Sequence, residues 1–205
     1  MFGMGKQINS KKNNIKLSIL ILSITERLDS YLKFLLDKLQ IQIKNQPIEL
    51  VILLDNQKRT IGSKRNQLLE NAQGEYICFI DDDDDIADTY VERIIKSLKK
   101  NPDCVVFDSW VTMKKKKSKN NVLGKLCKFG IEYENENLIE EYHRLPNHLM
   151  VIKKSLLAGI RFLNTNFGED TDWSEKIKHR IIKQERIDEI LYYYNYNHKI
   201  SRSGK

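Results

Sequence analysis

A short apolar segment that ends in five consecutive aspartates is the feature that most restricts what this chain can fold into. Tyr76–Ile80 is rich in aromatic and β-branched residues and follows Gly74, a pattern typical of a buried strand. Asp81–Asp85 begin where that segment stops. Because open α/β sheets place their ligand sites at strand ends, we expect these carboxylates at a binding site.

The alternative interpretation of the aspartates is a solvated or disordered acidic surface, which is what most acidic runs are. An amphipathic helix follows at once, however, with apolar residues at helical spacing: Tyr90, Val91, Ile94, Ile95 and Leu98. The acids are thus confined between a strand and a helix. Two carboxylates about 4 Å apart repel each other by about 1 kcal/mol in water. A divalent cation relieves this repulsion, and carboxylate oxygens suit Mg²⁺ or Mn²⁺.

A calcium site of the helix-loop-helix kind is a second possibility for the same residues. Acids have the required spacing at Asp81, Asp83, Asp85 and Glu92. Ile86, however, stands where the loop needs glycine, and a strand precedes the loop instead of a helix. The sequence therefore favours a Mg²⁺ or Mn²⁺ site.

Composition indicates one globular domain in a reducing compartment. The chain has 205 residues, of which 40% are hydrophobic and 31% charged. We find no apolar run of membrane-spanning length and no signal peptide in the lysine-containing N-terminus. The three cysteines form no CxxC pair. We therefore predict a cytoplasmic protein, possible also at the inner face of a membrane, and in the host cytoplasm if the source is viral.

The positive charge is concentrated in one segment. The formal net charge is +7, and Lys114–Lys128 contains seven lysines and no acid. Aromatic residues are missing from this segment, which argues against stacking on nucleic-acid bases. A solvated loop is the expected structure. Contact with an anionic membrane surface, or less favourably with nucleic acid, is the alternative that the charge leaves open.

Strand and helix patterns alternate through the first half of the chain. The predicted strands are Leu17–Ile24, Glu49–Leu54, Tyr76–Ile80 and Cys104–Trp110. Helical patterns separate them at residues 28–39, 63–72 and 90–98. This order predicts a three-layer α/β/α, Rossmann-like fold with a mostly parallel central sheet. Residues 1–16 are predicted to be a flexible leader, and residues 17–205 a single domain.

The second half of the chain is less regular. Met113–Asn121 is predicted to be a polar loop, and a short strand and a small helix follow Leu145. A turn at Phe167–Asp170 precedes a helix that Asp170 or Thr171 could cap. Glu189–Tyr196 is predicted to be the last strand.

The order of several of these segments resembles the family 2 glycosyltransferases of the GT-A fold. The matching segments are Leu17–Ile24, Val51–Asp55, Arg65–Asn66, Gly74–Asp84, Gly168–Asp170 and Tyr194–His198. The resemblance implies a donor-binding half at about residues 17–112 and an acceptor half at about 113–205. It further implies a metal-dependent, inverting transfer of a sugar from a nucleotide-diphosphate donor, a UDP-sugar, to an acceptor hydroxyl in glycan or glycoconjugate synthesis. Mn²⁺ or Mg²⁺ would be the cofactor.

The resemblance also assigns roles to individual residues. Asp83, Asp81 and His198 would hold the metal. The donor contacts would be Thr25, Glu26, Asp55, Arg65, Asp81 and Asp82. Asp170 would be the general base that takes the acceptor proton. For two of these residues a structural role is the alternative: an exposed helix position for Arg65 and a solvated tail for His198. The resemblance also places His148 at the acceptor site, and a partly buried structural histidine is the alternative there.

Two other functions compete with sugar transfer. The first is another metal-dependent phosphate enzyme, a nucleotidyltransferase or a phosphatase, although no phosphate-binding Gly-x-x-x-x-Gly-Lys loop is present in the sequence. The second is a binding module that uses Lys114–Lys128. If the protein is a glycosyltransferase, we expect this segment to border the acceptor groove and to attract a phosphate-bearing, lipid-linked or other glycan acceptor. The sequence after Asp55 is Asn-Gln-Lys-Arg-Thr, where the family commonly has Gly-Ser-x-Asp. The sequence therefore leaves open which nucleotide is bound.

Overall fold

The computed structural model describes residues 14–114 and 122–196, and these form one mixed α/β unit. Three predictions fall at least partly outside this range. They are the leader up to residue 13, the centre of the lysine-rich segment, and His198. Within the described ranges, no helix is both long enough and apolar enough to cross a lipid bilayer.

The first half of the chain alternates between strands and helices as the sequence predicts. Its elements are β1 (Leu17–Ile24), α1 (Lys33–Ile43), β2 (Ile48–Asp55), α2 (Ile61–Asn71), β3 (Tyr76–Phe79), β4 (Asp85–Ile86) and α3 (Tyr90–Leu98). Two short irregular helical turns, Thr25–Arg27 and Leu28–Leu32, connect β1 to α1. Every predicted strand and helix of this half is present, with ends that differ by a few residues.

The second half contains more strands than the sequence predicts. Its elements are β5 (Cys104–Lys114), β6 (Val122–Phe129), β7 (Glu136–Asn137), β8 (Glu141–Arg144), β9 (Val151–Lys153), α4 (Glu169–Lys178) and β10 (Gln184–Tyr196). The prediction of a loop over Met113–Asn121 is wrong at its start, because β5 continues to Lys114. The last strand begins at Gln184 rather than at Glu189. β6 and β10 are fixed by pairing with β5, a distant partner that local sequence patterns do not reveal.

The central sheet has the order β2-β1-β3-β9-β5-β6-β8-β7, with β10 beside β5 and β4. β1 pairs in parallel with both β2 and β3, and β10 pairs in parallel with β5. β9 runs antiparallel between β3 and β5, so the five strands β1, β2, β3, β5 and β10 point the same way. The sheet is therefore mixed, with a mostly parallel centre.

Helices cover both faces of this sheet. The chain moves from β1 to β2 in one direction and then from β2 past β1 to β3 in the other. Since such crossovers are right-handed, α1 and α2 lie on opposite faces. β1 is accordingly buried on both sides, and Leu17, Ile19 and Leu20 have no exposed surface. The predicted α/β/α fold class is confirmed.

Close packing ties the start of α2 to the segment that leads into α4. The side chain of Asn66 bonds both the carbonyl and the N–H of Phe162, each at 2.9 Å. Gly62 approaches the same segment so closely that an added Cβ would lie 1.7 Å from the carbonyl oxygen of Leu163. Only glycine fits there. This contact determines where the first turn of α4 stands relative to the sheet.

The sheet's hydrogen bonding begins inside the predicted leader. The N–H of Lys16 donates to the carbonyl of Pro47 at 2.7 Å, and the carbonyl of Ile15 accepts from Glu75 at 3.1 Å. Ile15 and Lys16 are therefore bonded into the domain. Residues 1–13 of the predicted leader lie outside the described residues.

Candidate active site

A cavity of about 490 Å³ opens where β1 and β3 end. The chain leaves β1 towards one side of the sheet and β3 towards the other, and ligands of open α/β sheets bind at this kind of reversal. The lining includes acids from two distant parts of the sequence, namely Asp81, Asp82, Asp83, Asp84, Glu169 and Asp170. The sequence predicted that the first four of these lie at a sheet edge, and they do.

Asp82 is bonded to the end of β1. Its side chain is 4% exposed, and it accepts hydrogen bonds at 2.5 Å from both the Ser23 hydroxyl and the Arg27 guanidinium. Burial works to lower the pKa of Arg27, but Asp83 and Asp82 beside it outweigh burial and raise that pKa above its ordinary value. Asp82 thus fastens the aspartate run to β1.

Asp84 is bonded to β10 instead. It accepts a hydrogen bond at 2.7 Å from the Tyr192 hydroxyl and another at 2.8 Å from the Asn195 N–H. Burial and the charge of Asp81 raise the pKa of Asp84 well above its ordinary value. The Tyr192 hydroxyl also accepts the N–H of Asp81 at 3.1 Å. β10 therefore holds the turn from which the other aspartates project.

Among the four aspartates that line the cavity, Asp81 and Asp83 are the more open, with side chains 26% and 23% exposed. Burial works to raise the pKa of Asp81, but Arg65 and His148 hold it below its ordinary value. Burial raises the pKa of Asp83 to about 6, and the charges of Asp81 and Asp82 add to this against the effect of Arg27. An additional cation would favour the ionised form of Asp83.

Arg65 joins the two groups of acids. Its side chain is 5% exposed and contacts Glu169 at 2.7 Å, Asp81 at 3.3 Å and the Nε2 of His148 at 2.9 Å. Arg65 is thus a buried residue beneath the cavity, and the alternative of an exposed helix arginine is wrong. A buried guanidinium of this kind can keep carboxylates from α4 and β3 at fixed separation.

Asp170 lies in the first turn of α4 and lines the cavity. The N-cap position is Gly168, whose φ of 76° favours glycine, so the prediction that Asp170 or Thr171 caps the helix is wrong. The Oδ1 of Asp170 accepts the N–H of Thr171 at 2.9 Å. Its Oδ2 lies 4.0 Å from the Nδ1 of His148, and its side chain is 37% exposed. A carboxylate so placed can take a proton from a molecule in the cavity.

The predicted nucleoside contacts lie beside the cavity, where β1 and β2 end. Asp55 accepts hydrogen bonds from Lys64 at 3.3 Å and from the N–H of Gln57 at 2.9 Å. Its Oδ2 is buried without a hydrogen-bond partner among the described residues. The Thr25 hydroxyl contacts the Asp55 carbonyl at 3.4 Å, and Glu26 accepts from Gln57 at 3.1 Å. Lys64 lines the cavity and so connects this group to it.

The donor set at the cavity suits a metal that is shared with a ligand. Within residues 14–114 and 122–196, no three His, Cys, Asp or Glu side chains are arranged to hold an ion. Mg²⁺ and Mn²⁺ are commonly bound by one or two carboxylates, with phosphate oxygens and water completing the shell. Asp83 and Asp81 fit that arrangement. The third predicted ligand, His198, lies outside the described residues.

Sequence reasoning missed several residues of this site. Arg27, Lys64 and Glu169 all line the cavity, yet none received a role from the sequence. A signal existed for each: Arg27 is in the exit loop of β1, Lys64 precedes Arg65, and Glu169 precedes Asp170. Their burial against opposite charges could not be read from those positions.

Comparison with known sequences decides the family. Residues 27–161 match the family described as Glycosyl transferase family 2, and this range is well over half of the 205 residues. The chain belongs to the family 2 glycosyltransferases. No curated protein is significantly similar to it in sequence. The match includes Asp55, Arg65 and the aspartate run, whereas Asp170 lies beyond its end.

Solved structures agree with the family 2 glycosyltransferase assignment at the level of the fold. TarS of S. aureus, residues 1–349 in complex with UDP-GlcNAc, is similar with a TM-score of 0.61 and 15% identity, over 93% of this chain and 61% of that one. A second TarS structure has a TM-score of 0.60 and 16% identity, over 88% of this chain and 37% of that one. TarS 1–349 in complex with UDP has a TM-score of 0.59 and 16% identity, over 89% of this chain and 61% of that one. The chain therefore has the GT-A fold and spans 37% to 61% of the length of these structures.

Proposed function

We propose that the protein transfers a sugar from a nucleotide-diphosphate donor, a UDP-sugar, to an acceptor hydroxyl, with inversion and with help from a divalent metal. The observation that carries the proposal is the cavity of about 490 Å³, which is lined both by Asp83 at the end of β3 and by Asp170 on α4. Family membership and the likeness to TarS, whose structure in complex with UDP-GlcNAc is solved, support it.

The donor diphosphate would lie over the aspartate run. Mg²⁺ or Mn²⁺, when bound, supplies a Lewis acid that neutralises charge on the leaving diphosphate. Asp83 and Asp81 would hold it, since they are the more open of the four aspartates that line the cavity. Arg27 and Ser23 keep Asp82 against β1 and so fix the direction of its neighbours.

The nucleoside would bind beside the diphosphate. Asp55, Thr25 and Glu26 cluster where β1 and β2 end. The Oδ2 of Asp55 lies 3.9 Å from Arg59 but accepts no hydrogen bond from the described residues, so it can accept one from a base or a ribose. Lys64 contacts Asp55 and faces the cavity, which suits a position between nucleoside and diphosphate.

Asp170 would act as the general base. The acceptor hydroxyl loses a proton as it attacks the anomeric carbon, and a carboxylate within reach of that proton accelerates the step. Asp170 belongs to α4, so it approaches the cavity from a different element than the metal-binding aspartates. This separation supports a single displacement, in which the hydroxyl attacks opposite the leaving diphosphate and configuration inverts.

The acceptor would lie towards β6 and β8. Cys127 and Phe129 of β6 and Arg144 of β8 line the cavity. Lys128, from the basic segment, also lies on β6, paired with Glu141 at 2.9 Å. Arg144, the cation in this part of the lining, supports an acceptor with negative charge, such as a phosphate-bearing glycan precursor. Contact of Lys114–Lys128 with an anionic membrane stays a prediction.

Release of nucleoside diphosphate from a panel of nucleotide sugars, with and without Mn²⁺, tests the proposal. We expect metal-dependent turnover of one donor, UDP-GlcNAc being the first to try, and its loss in Asp83→Ala. Asp37→Ala, an exposed α1 residue paired with Lys33, is the matched control and should behave as wild type. If no donor in the panel releases nucleoside diphosphate and none raises the melting temperature of the protein, sugar transfer is rejected.

A further inference from the structure

His148 lies between the aspartate run and Asp170, and it is held rigidly. His148 is 4% exposed, and its backbone carbonyl accepts the N–H of Phe79, in β3, at 2.9 Å. Its ring meets the Phe79 ring edge to face, with centroids 6.1 Å apart. Asp81 Oδ2 is 3.6 Å from Nε2, and Asp170 Oδ2 is 4.0 Å from Nδ1. The two ring nitrogens thus point towards opposite parts of the site.

The contact with Arg65 determines which nitrogen carries the proton. Nε2 of His148 lies 2.9 Å from a terminal nitrogen of Arg65. A guanidinium donates hydrogen bonds and cannot accept them, so Nε2 must be the acceptor. The proton of the neutral ring is therefore on Nδ1. That N–H is buried and has no hydrogen-bond partner among the described residues.

We propose that His148 is a positioning residue for the general base. Its Nδ1–H donates to Oδ2 of Asp170 once the donor and an acceptor oxygen, from a hydroxyl or from water, occupy the cavity. This inference rests on the proposed function, because it takes Asp170 to be the base. The observed 4.0 Å is too long for a hydrogen bond, but catalytic contacts are often long before substrates bind and then shorten.

The contact would fix both oxygens of the carboxylate. Oδ1 of Asp170 already accepts the N–H of Thr171 at 2.9 Å. With Oδ2 held by His148, the carboxylate can no longer rotate, and a remaining lone pair of Oδ2 is directed at the cavity. Arg65 contacts both His148 and Asp81, so the same arrangement sets the distance between the base and the aspartate run. Misplacement of a reacting group by about 1 Å can slow catalysis roughly a hundredfold.

Two substitutions separate the functions of the two ring nitrogens. In His148→Asn the amide nitrogen stands near the place of Nδ1 and can still donate to Asp170. In His148→Gln the amide stands near the place of Nε2, and the donor to Asp170 is lost. With UDP-GlcNAc as donor and water as acceptor, we expect His148→Gln to lower kcat of UDP release by roughly 10- to 100-fold at an unchanged donor KM. His148→Asn should keep most of kcat.

Exposed His179 gives the matched control, and His179→Gln should leave kcat and KM as in wild type. UDP affinity, measured by calorimetry, should be the same in all variants, which shows that the donor side is intact. Equal losses of kcat in His148→Asn and His148→Gln would overturn the proposal, because both would then report a packing defect.

The ring ¹⁵N resonances of His148, assigned by their loss in His148→Asn, test the contact without any turnover. We expect the Nδ1–H tautomer, and a shift of the Nδ1 resonance in Asp170→Asn. An Nε2–H tautomer would overturn the inference. If wild type turns over no donor but these resonances behave as expected, then the contact stands and the proposed function fails.

Discussion

The cavity has two sides that are built in different ways. The strand side consists of the carboxyl ends of β1 and β3, and it carries Asp81–Asp84. The helix side consists of the first turn of α4 together with residues 147–149, and it carries Asp170. Acids of the strand side are held in place by Arg27, Arg65 and Tyr192. Asp170 accepts one backbone hydrogen bond, and its side chain is 37% exposed.

This difference teaches how a crowded acidic site can fold without its ligand. On the strand side each buried carboxylate has cationic or hydrogen-bonding partners, because an unpaired buried charge is strongly unfavourable. On the helix side, the buried Glu169 is compensated in the same way by Arg65, whereas Asp170 is open enough to need no such partner and is left ready for a substrate. Arg65 is the link, since it contacts Asp81 on one side and Glu169 on the other.

Removal of Arg65, the link between the two sides, should have the largest effect on stability and activity. We expect Arg65→Met to lower the free energy of unfolding by about 3–5 kcal/mol and to abolish turnover, because it leaves the carboxylate of Glu169 buried without a counterion. Chemical denaturation measures the loss. The double variant Arg65→Met/Glu169→Gln should recover part of it, since the carboxylate of Glu169 is then no longer buried without a counterion.

The matched control for the link is Arg93→Ala, which breaks the exposed ion pair with Glu189 on the surface. An exposed pair contributes less than about 1 kcal/mol. A loss in Arg65→Met as small as that in Arg93→Ala would show that the two sides stand in place without Arg65.

A change confined to the helix side should affect catalysis alone. Asp170→Asn is expected to lower the rate of sugar transfer by roughly 10²- to 10⁴-fold, the usual contribution of a general base. UDP affinity and the unfolding free energy should stay at the wild-type values, because the Asp170 side chain is partly exposed and has few contacts. Kinetics and calorimetry on the same preparation check both parts.

Asp172→Asn provides the comparison for Asp170, since Asp172 lies in the same turn and pairs on the surface with Lys176. It should retain full activity. Wild-type rates in Asp170→Asn would remove Asp170 from the mechanism and turn attention to Glu169.

A change confined to the strand side should lower the free energy of unfolding by less than removal of Arg65 does. Asp84→Ala removes the acceptor of the Tyr192 hydroxyl and of the Asn195 N–H. Because an unsatisfied buried donor is unfavourable by about 1–3 kcal/mol, we expect a loss of about 2 kcal/mol in unfolding free energy. Asp85→Ala, whose partner Lys38 is partly exposed, should lose less than half as much. Equal losses in both variants would contradict the distinction between buried and open aspartates.

The sequence predicted much of the strand side and little of the helix side. Tyr76–Ile80 and the aspartates after it are contiguous, so a local pattern was enough to place them at a strand end. Arg27 and Lys64 were missed because their partners, Asp82 and Asp55, are not sequence neighbours in any recognisable pattern. β6 was missed because its pairing with β5, rather than its own residues, determines it.

The sequence by itself determined the α/β alternation, the acidic strand end and, through the order of these segments, the resemblance to family 2 glycosyltransferases. Periodic burial of apolar side chains depends on near neighbours, and near neighbours are visible in a sequence. Only the tertiary structure decided which aspartates are buried, that Arg65 lies beneath the cavity, and that His148 faces Asp170. Those arrangements depend on charges and hydrogen bonds between residues far apart in the chain, and folding alone brings them together.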